Sequence, residues 1–525
     1  MWEFFINLII PNYLGELHLA GGEVPRVEAP ARKPRPMVLK EAYPLKPPYA
    51  YAAIKRDPIT EEIIYEVVEP TLMEHEKAML EAIKKKLLDE LRVSLDSFED
   101  REKAEEFLKN EIKRIVKKYK IKVSEETLNK LFYHITRDFI GYGRIEPLML
   151  DPLIEDISCD GPNIPIYVWH RDYESIPTNV KFESEEELSS FIIRLAYRAG
   201  KHISIANPIV EARLPDGSRA VLTLGTEVTR RGSTFTIRKF RREPFTIVDL
   251  IRLNTVSSQM AAYFWYVIEH KCSIIVAGAI ASGKTTLLNC LSMFIKPEYK
   301  IVTVEETPEL NLPHENWIAS VTRTGYGPEG MGAITLFDLV KAALRQRPDY
   351  IIVGEVRGEE AYVLFQAMAT GHLGFCTIHA ETIDRIFKRL ESKPMNIPRI
   401  FFEAIDVITL QVRTERGGRP IRRTKVVAEV TGLEPETLNP KVLEVFRWDP
   451  VSDTHVYLGH SAKLEEIAAE KGITMEEVER ELERRRLVLE WLVRNNMRDY
   501  RTVAAVIREY YADPRRVLMK ARVGA

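Results

Sequence analysis

No two of the chain's four cysteines, Cys159, Cys272, Cys290 and Cys376, stand close enough to form a CxxC pair, so neither a disulfide framework nor a cysteine-built zinc knuckle is signalled. Buried free thiols in a reducing compartment are the simplest reading. Long apolar runs are missing too: none reaches the roughly 20 residues that span a bilayer. The N-terminal WEFFINLII is too short for that, carries Glu3 where a secretory signal wants positive charge, and stops at Pro11. A local packing segment is expected there. Net charge is almost absent, since 75 Lys and Arg face 77 Asp and Glu and leave −2. That argues against a surface that coats nucleic acid, although a local basic patch can hide inside such a total. There is no aromatic-basic tract of the kind that stacks single strands, and no internal repeat.

What is present is an ordinary globular composition, 45% hydrophobic and 29% charged over 525 residues, enough for two to four domains. Residues 25–48 hold seven prolines among charges and read as an extended linker that cannot form helix, so residues 1–48 are expected to be an N-terminal arm and linker. Residues 49–140 read as mainly helical, because LMEHEKAMLEAIKKKLLDEL repeats apolar positions every three or four residues under a Lys/Glu face. Residues 141–244 read as α+β. There IPIYVWH, AVLTL and TFTIRKF are strand-like, SEEELSSFIIRLAYRAG is a helix with Ser184 and Glu187 as capping box and Gly200 at its C-terminal cap, and EARLPDGSRAVL is two strands about a Pro-Asp-Gly turn. From 245 to 455 apolar strands alternate with helices, the pattern of a parallel sheet covered on both faces. Residues 456–525 are helical again, with Thr474 and Glu477 opening a highly charged helix.

The strongest chemical signal opens the α/β region. CSIIVAGAIASGKTTLLNCL places a buried strand, the loop Gly278, Ala279, Ile280, Ala281, Ser282, Gly283, Lys284, Thr285, Thr286, and an apolar helix in the order a phosphate loop requires. The glycines let backbone N–H groups turn toward phosphate oxygens, and the helix N-terminus adds the positive end of its dipole. Lys284 reaches the β- and γ-phosphates, and Thr285 offers its hydroxyl to Mg²⁺. ATP and Mg²⁺ are therefore the expected ligands. Two acidic strand ends follow: KIVTVEETPEL carries Glu305 and Glu306, and DYIIVGEVRGEEA carries Gly354 and Glu355 where an acidic motif of a nucleotide hydrolase belongs.

The ordered set GAIASGKTT, TVEETPEL, LRQRPDYIIVGEVRGEEA and TGHLGFCTIHAE, preceded by RLPDGSRA and FTIRKF, resembles the secretion ATPase superfamily of type II secretion, type IV pili and the archaeal flagellum. DPLIEDISCDGPNIPIYVWHR resembles its archaeal branch. The resemblance spans about residues 45–440. It implies a RecA-like core with an N-terminal α+β domain, Mg-dependent ATP hydrolysis, and a ring, a hexamer, of this chain. It also implies a cytoplasmic protein held at the inner face of the membrane by a polytopic platform protein, driving filament assembly or secretion. Glu305 would be the general base, Glu355 would hold Mg²⁺ through water together with Thr285, and His379 would read the γ-phosphate. Two departures stand out: Glu306 where Asp is usual, and no tetracysteine zinc motif. The alternative reading is a nucleic-acid translocase built on the same nucleotide-binding core.

His372 lies in the turn before the strand FCTIH and His379 at its end, poor geometry for a shared metal, while the odd spacing puts Cys376 on the other strand face from His379. Lys284 is one cation, and the charge developing on a transferred phosphoryl group usually meets a second, often an arginine from outside the core. Arg213 and Arg219, flanking the Pro-Asp-Gly turn, and Arg238 in FTIRKF are the candidates, supplied by a neighbouring subunit or domain. Arg345 and Arg347 in LRQRPD are rivals from within the α/β layer.

Overall fold

The computed structural model describes residues 37–91, 98, 100–240, 243–323 and 331–523. WEFFINLII and the arm as far as residue 36 lie outside them. The chain is built on three sheets in succession. Strands β1 (Val38–Lys46), β2 (Ala50–Arg56) and β3 (Ile63–Val68) form an antiparallel sheet. Helices α1 (Glu74–Glu90), α2 (Arg101–Lys118) and α3 (Glu125–Phe139) follow, with a core of their own around Ile83, Leu108, Ile112 and Leu131. The helical reading thus holds only from Glu74 onward. The preceding segment pairs as strands because alternate residues, Ala52, Ile54, Tyr65 and Val67, are buried in the core of the next domain. The end of the proline-rich segment is the edge strand β1, a position where a proline removes no interior ladder bond. Tyr43 of β1 and Tyr65 of β3 both donate to the buried carboxylate of Asp151, at 2.7 and 2.6 Å.

After the short helix α4 (Glu146–Leu150), the second sheet comprises β4 (Ile154–Cys159), β5 (Tyr167–His170), β6 (Glu174–Pro177), β7 (Ile209–Arg213), β8 (Arg219–Thr223) and β9 (Thr234–Arg238), in the order β6-β5-β4-β9-β8-β7. Helix α5 (Glu185–Arg198) covers one face through Leu188, Phe191, Ile192 and Leu195. Ser184 caps it by accepting from Glu187 N, and Gly200 follows its C-cap with φ +67°. The other half of the expected capping box is shifted by one residue: Glu187 accepts from the amide of Glu183.

The third sheet is the largest. Helices α6 (Ile247–Arg252) and α7 (Ser258–Glu269) lead into β10 (Ile274–Gly278), α8 (Lys284–Ser292), β11 (Ile301–Glu305), β12 (Trp317–Val321), α9 (Leu336–Arg345), β13 (Tyr350–Val353), α10 (Glu360–Ala369), β14 (Leu373–His379) and α11 (Ile383–Glu391). The long hairpin β15 (Val407–Arg416) and β16 (Arg419–Leu433), then β17 (Pro440–Asp449) and β18 (Thr454–Tyr457), complete it in the order β12-β11-β13-β14-β10-β15-β16-β17-β18. Strands β12 to β15 run parallel and the rest antiparallel. This is the RecA-like α/β core anticipated from the motif order, with β10 near its centre. Alternate residues of β10 serve opposite faces: Ile274 and Val276 meet α7 and α8, whereas Ile275 and Ala277 meet α9, α10 and α11.

The C-terminal helices α12 (Ala462–Lys471), α13 (Met475–Arg494), α14 (Tyr500–Ala512) and α15 (Pro514–Val523) are not an appendage. Their Ile467, Val488, Leu492, Val503 and Ile507 join the core on the α7 side of the sheet, which is why α7 is buried almost all round. The capping box of Thr474 and Glu477 forms as expected. One buried carboxylate ties the layers together. Glu429 on β16 accepts from Tyr263 Oη at 2.6 Å, Ser461 Oγ at 2.5 Å and the amide of Lys463 at 3.1 Å. Glu429→Ala strands those donors in the core. The expected cost is about 3 kcal/mol, since an unpaired buried polar group costs about 1–3 kcal/mol. Urea unfolding followed by tryptophan fluorescence checks it, and a loss below about 0.5 kcal/mol, the scale of an ordinary surface change, would refute this role.

Candidate active site

Parallel register brings the predicted groups together at the carboxyl ends of the strands, where open α/β sheets gather ligands. Gly278 at the end of β10 lies beside His379 of β14 on one side and Gln411 of β15 on the other. Val304 pairs with Val353, and Val353 with Cys376, so Glu305, Gly354 and Thr377 follow at the same edge.

The phosphate loop turns from β10 into α8 through left-handed backbone at Ala281 (φ +58°) and at Gly283 (φ +91°), the N-cap of α8. Space demands glycine at 278, where a Cβ would sit 2.5 Å from Ser282 Oγ and 2.6 Å from the Gln411 carbonyl. Ser282 Oγ and Lys284 Nζ both donate to the carbonyl of Ala279, at 2.8 and 3.0 Å, which closes the loop into a cradle. Burial pushes the Lys284 ammonium below its usual range; Glu355 and Glu309 pull it back up, and Arg389 pushes it down further. Thr285 follows at the start of α8, and these residues together with Glu355 form the donor set that suits a nucleotide phosphate with Mg²⁺.

Glu305 is 2% exposed. Its Oε1 accepts from the amides of Glu309 at 2.9 Å and Leu310 at 3.0 Å, while the buried Oε2 has no partner among the described residues. Burial raises its carboxyl to about 7, against the amides of Glu309 and Leu310, with a smaller opposing influence from Arg213. A carboxylate poised there, with one oxygen committed and one open, is built to exchange a proton near neutral pH. Gly354 makes the room: a Cβ on it would lie 3.1 Å from Glu305 Cγ. That is a steric reason for Gly-Glu where a bulkier residue would press on Glu305. The adjacent Glu306 points elsewhere and pairs with Arg357. His372 precedes β14 and His379 ends it, so a full strand separates the two histidines.

The three predicted arginines form a row. Arg213 pairs in register with Arg219, and Arg219 with Arg238, across β7, β8 and β9 on the sheet face opposite α5. Like charges directly opposite on neighbouring strands repel. Only Arg238 has a carboxylate, Asp156 at 3.8 Å, among the described residues. Arg213 is the member of the row whose charge reaches Glu305, and it does so within one chain. Arg345 and Arg347 are removed by topology, since they precede β13 and so lie at the amino end of the sheet, away from the loop.

Three residues escaped the sequence reading. Arg422 on β16 donates from Nε to the carbonyl of Ala281 at 2.9 Å, lies against Gly283, and reaches Glu155 of the N-terminal sheet at 3.6 Å. Its register partner across the hairpin, Arg413, stacks on Trp169 and pairs with Glu174 of the same sheet. Arg389 on α11 donates to the carbonyl of His379 at 2.9 Å. The RPIRR tract holding Arg422 was visible, but nothing in its spacing pointed to a loop 141 residues away.

Comparison with known proteins adds to this geometry. The family described as type II/IV secretion system protein matches residues 140–417, and the family described as PilB3-like, C-terminal, matches residues 452–525. An uncharacterized protein of Methanocaldococcus jannaschii is 41% identical over 396 residues, covering 75% of this chain and 71% of that protein. A putative conjugal transfer protein of Mycobacterium tuberculosis is 30% identical over 262 residues, covering 49% of this chain and 73% of the relative. Among solved structures, the pilus retraction motor PilT with bound ADP is 22% identical, with a TM-score of 0.37, over 51% of this chain and 77% of that one. With one family covering more than half of its length, from the middle sheet through the phosphate loop and His379 to the hairpin, the chain belongs to the type II/IV secretion system protein family.

Proposed function

We propose that the chain is an ATPase that hydrolyses ATP with Mg²⁺ and works as a ring, a hexamer, in the cytoplasm against the inner face of the membrane. The single observation that carries the hydrolytic reading is the buried, half-satisfied Glu305 at the edge it shares with the phosphate loop. Lys284 and the loop backbone hold the β- and γ-phosphates. Mg²⁺, when held by Thr285 and, through water, by Glu355, neutralises charge on the phosphate oxygens. Glu305 takes the proton from the attacking water at its open Oε2 while the two amides keep Oε1 fixed. His379, one ladder step from Gly278, reports the γ-phosphate to β14. Arg213 supplies positive charge from the N-terminal sheet, alone or with its neighbours Arg219 and Arg238.

The work done with that energy is motion of the N-terminal α+β layer against the RecA-like layer. The hairpin supports this, because Arg422 touches the phosphate loop and the N-terminal sheet at once. The load is a filament or a secreted protein, engaged through a polytopic membrane platform protein. No helix among the described residues is long and apolar enough to cross a membrane. A second reading, nucleic-acid translocation, is favoured by the similarity to putative conjugal transfer proteins; stimulation of hydrolysis by DNA but not by anionic vesicles would select it.

Three outcomes are expected. Glu305→Gln retains ATP binding but lowers turnover by about 10²–10⁴-fold, the usual range for a lost general base, whereas Lys284→Ala loses binding; a Glu305→Gln protein with substantial turnover refutes the base assignment. Because burial raises Glu305 to about 7, kcat/KM rises with pH through about 7 as the carboxyl ionises, and this limb disappears in Glu305→Gln. For the arginines, Arg422→Ala loosens the coupling between the layers and lowers kcat with little change in ADP affinity, and Arg422→Lys, which can reach Ala281 or Glu155 but cannot bridge them as a planar fork, recovers little. Full rescue by lysine would mean that charge alone matters.

A further inference from the structure

Beside the site lies a second feature that hydrolysis as described leaves unused. A cavity of about 490 Å³ opens next to His379, with Arg357, Arg385, Lys388, Arg389 and Lys393 around it. The local sequence dictates this concentration of charge. Helix α11 buries Ile386, Phe387 and Leu390 against the core, which turns Arg385, Lys388 and Arg389, three and four residues apart, outward together. Lys393 follows the helix, and Arg357 arrives from the turn after β13.

Some of these charges are compensated. Arg385 pairs with Glu381 at 2.7 Å, Arg357 with Glu306, and Arg389 donates to the carbonyl of His379 at 2.9 Å. Lys388 and Lys393 have no carboxylate partner among the described residues, and neighbouring like charges on one helix face destabilise it. Such a cluster is stabilised by an anion. Its position names the anion: the cavity begins at His379, which sits in register with Gly278 of the phosphate loop, and Arg389 is close enough to depress the Lys284 ammonium.

We propose that this cavity binds inorganic phosphate, receiving it from the γ-position after hydrolysis and holding it on Lys388, Lys393 and Arg389 until release. The proposal rests on the ATPase reading for the origin of the phosphate, but not for the existence of the site. While phosphate occupies the cavity, its charge lies against the His379 end of β14, so its departure is a second event, after bond cleavage, that the strand can transmit.

The test uses the full-length protein and inorganic phosphate as probe, with binding followed by calorimetry in wild type, Lys284→Ala and the double variant Lys388→Gln/Lys393→Gln. Saturable phosphate binding is expected in wild type, retained in Lys284→Ala, and weakened at least about tenfold, or about 1.4 kcal/mol, in the double variant. In steady-state turnover the double variant resists product inhibition by phosphate to the same extent. Absence of saturable binding in wild type overturns the site. So does binding that vanishes in Lys284→Ala but is unchanged in the double variant, which would place all bound phosphate in the loop. If the double variant instead dissociates the oligomer while phosphate inhibition stays normal, an acidic segment of a neighbouring subunit fills the cavity and the proposal falls. A wild-type protein that binds phosphate at the cavity yet hydrolyses no ATP would sink the ATPase reading alone.

Discussion

The pairing of β10 between β14 and β15 is the constraint on which the rest depends. Parallel strands hydrogen-bond in a fixed, evenly spaced register, so once Ile274 lies beside Phe375 and Val407, Gly278 must end beside His379 and Gln411. A slip of one residue would turn every side chain of β10 to the other face of the sheet and expose one core to the other's helices. Burial on both faces forbids it. The phosphate loop, His379 beside it and the hairpin that leaves for the N-terminal sheet are thus aligned by hydrophobic burial well below the site.

Polar groups at the carboxyl edge and on the neighbouring sheet are held in states that cost stability. Glu305 is kept buried with one oxygen unpaired, Lys284 is desolvated, and three arginines face one another across β7, β8 and β9. Each would be disfavoured in a purely structural setting. Glu305 and Lys284 stand at one edge, and of the arginine row Arg213 is the member whose charge reaches Glu305; perturbed groups gathered in this way are the pattern that functional sites show. The steric role of Gly354 fits the same picture: the backbone there has given up a side chain so that the carboxylate of Glu305 can lie across it.

The hairpin of β15 and β16 gives the two layers a physical connection. Its base belongs to the large sheet and shares the core; its outer part carries Arg413 and Arg422, directly opposed, each drawn to a different acidic residue of the N-terminal sheet. Two guanidiniums opposite each other in a strand pair separate readily unless both are occupied. Here both are, one by Trp169 and Glu174, the other by Ala281 and Glu155. Through Arg422 one side chain thus touches both the phosphate loop and the N-terminal sheet.

Much of this was legible without coordinates. The strand-loop-helix around GAIASGKTT, the acidic strand ends at Glu305 and Glu355, the Pro-Asp-Gly hairpin with its two arginines, and the separation of His372 from His379 follow from local periodicity, turn chemistry and fixed side-chain alternation, and the structure places each of those elements where the reading had it. The readings that failed to capture the structure were those that needed long-range pairing. Nothing local announces that residues 50–68 join the core of the second sheet, that the C-terminal helices share a core with β10, or that Arg345 and Arg347 face the amino end of the sheet. The same holds for Arg422 and Arg389, ordinary cations in sequence, whose roles exist only because hairpin register and helix packing carry them to Ala281 and His379. Sequence alone determined which local chemistry is available, since a loop's backbone and a strand's alternation are decided within a few residues; tertiary structure decided which of those groups meet, because the burial that selects one pairing over another belongs to the whole sheet.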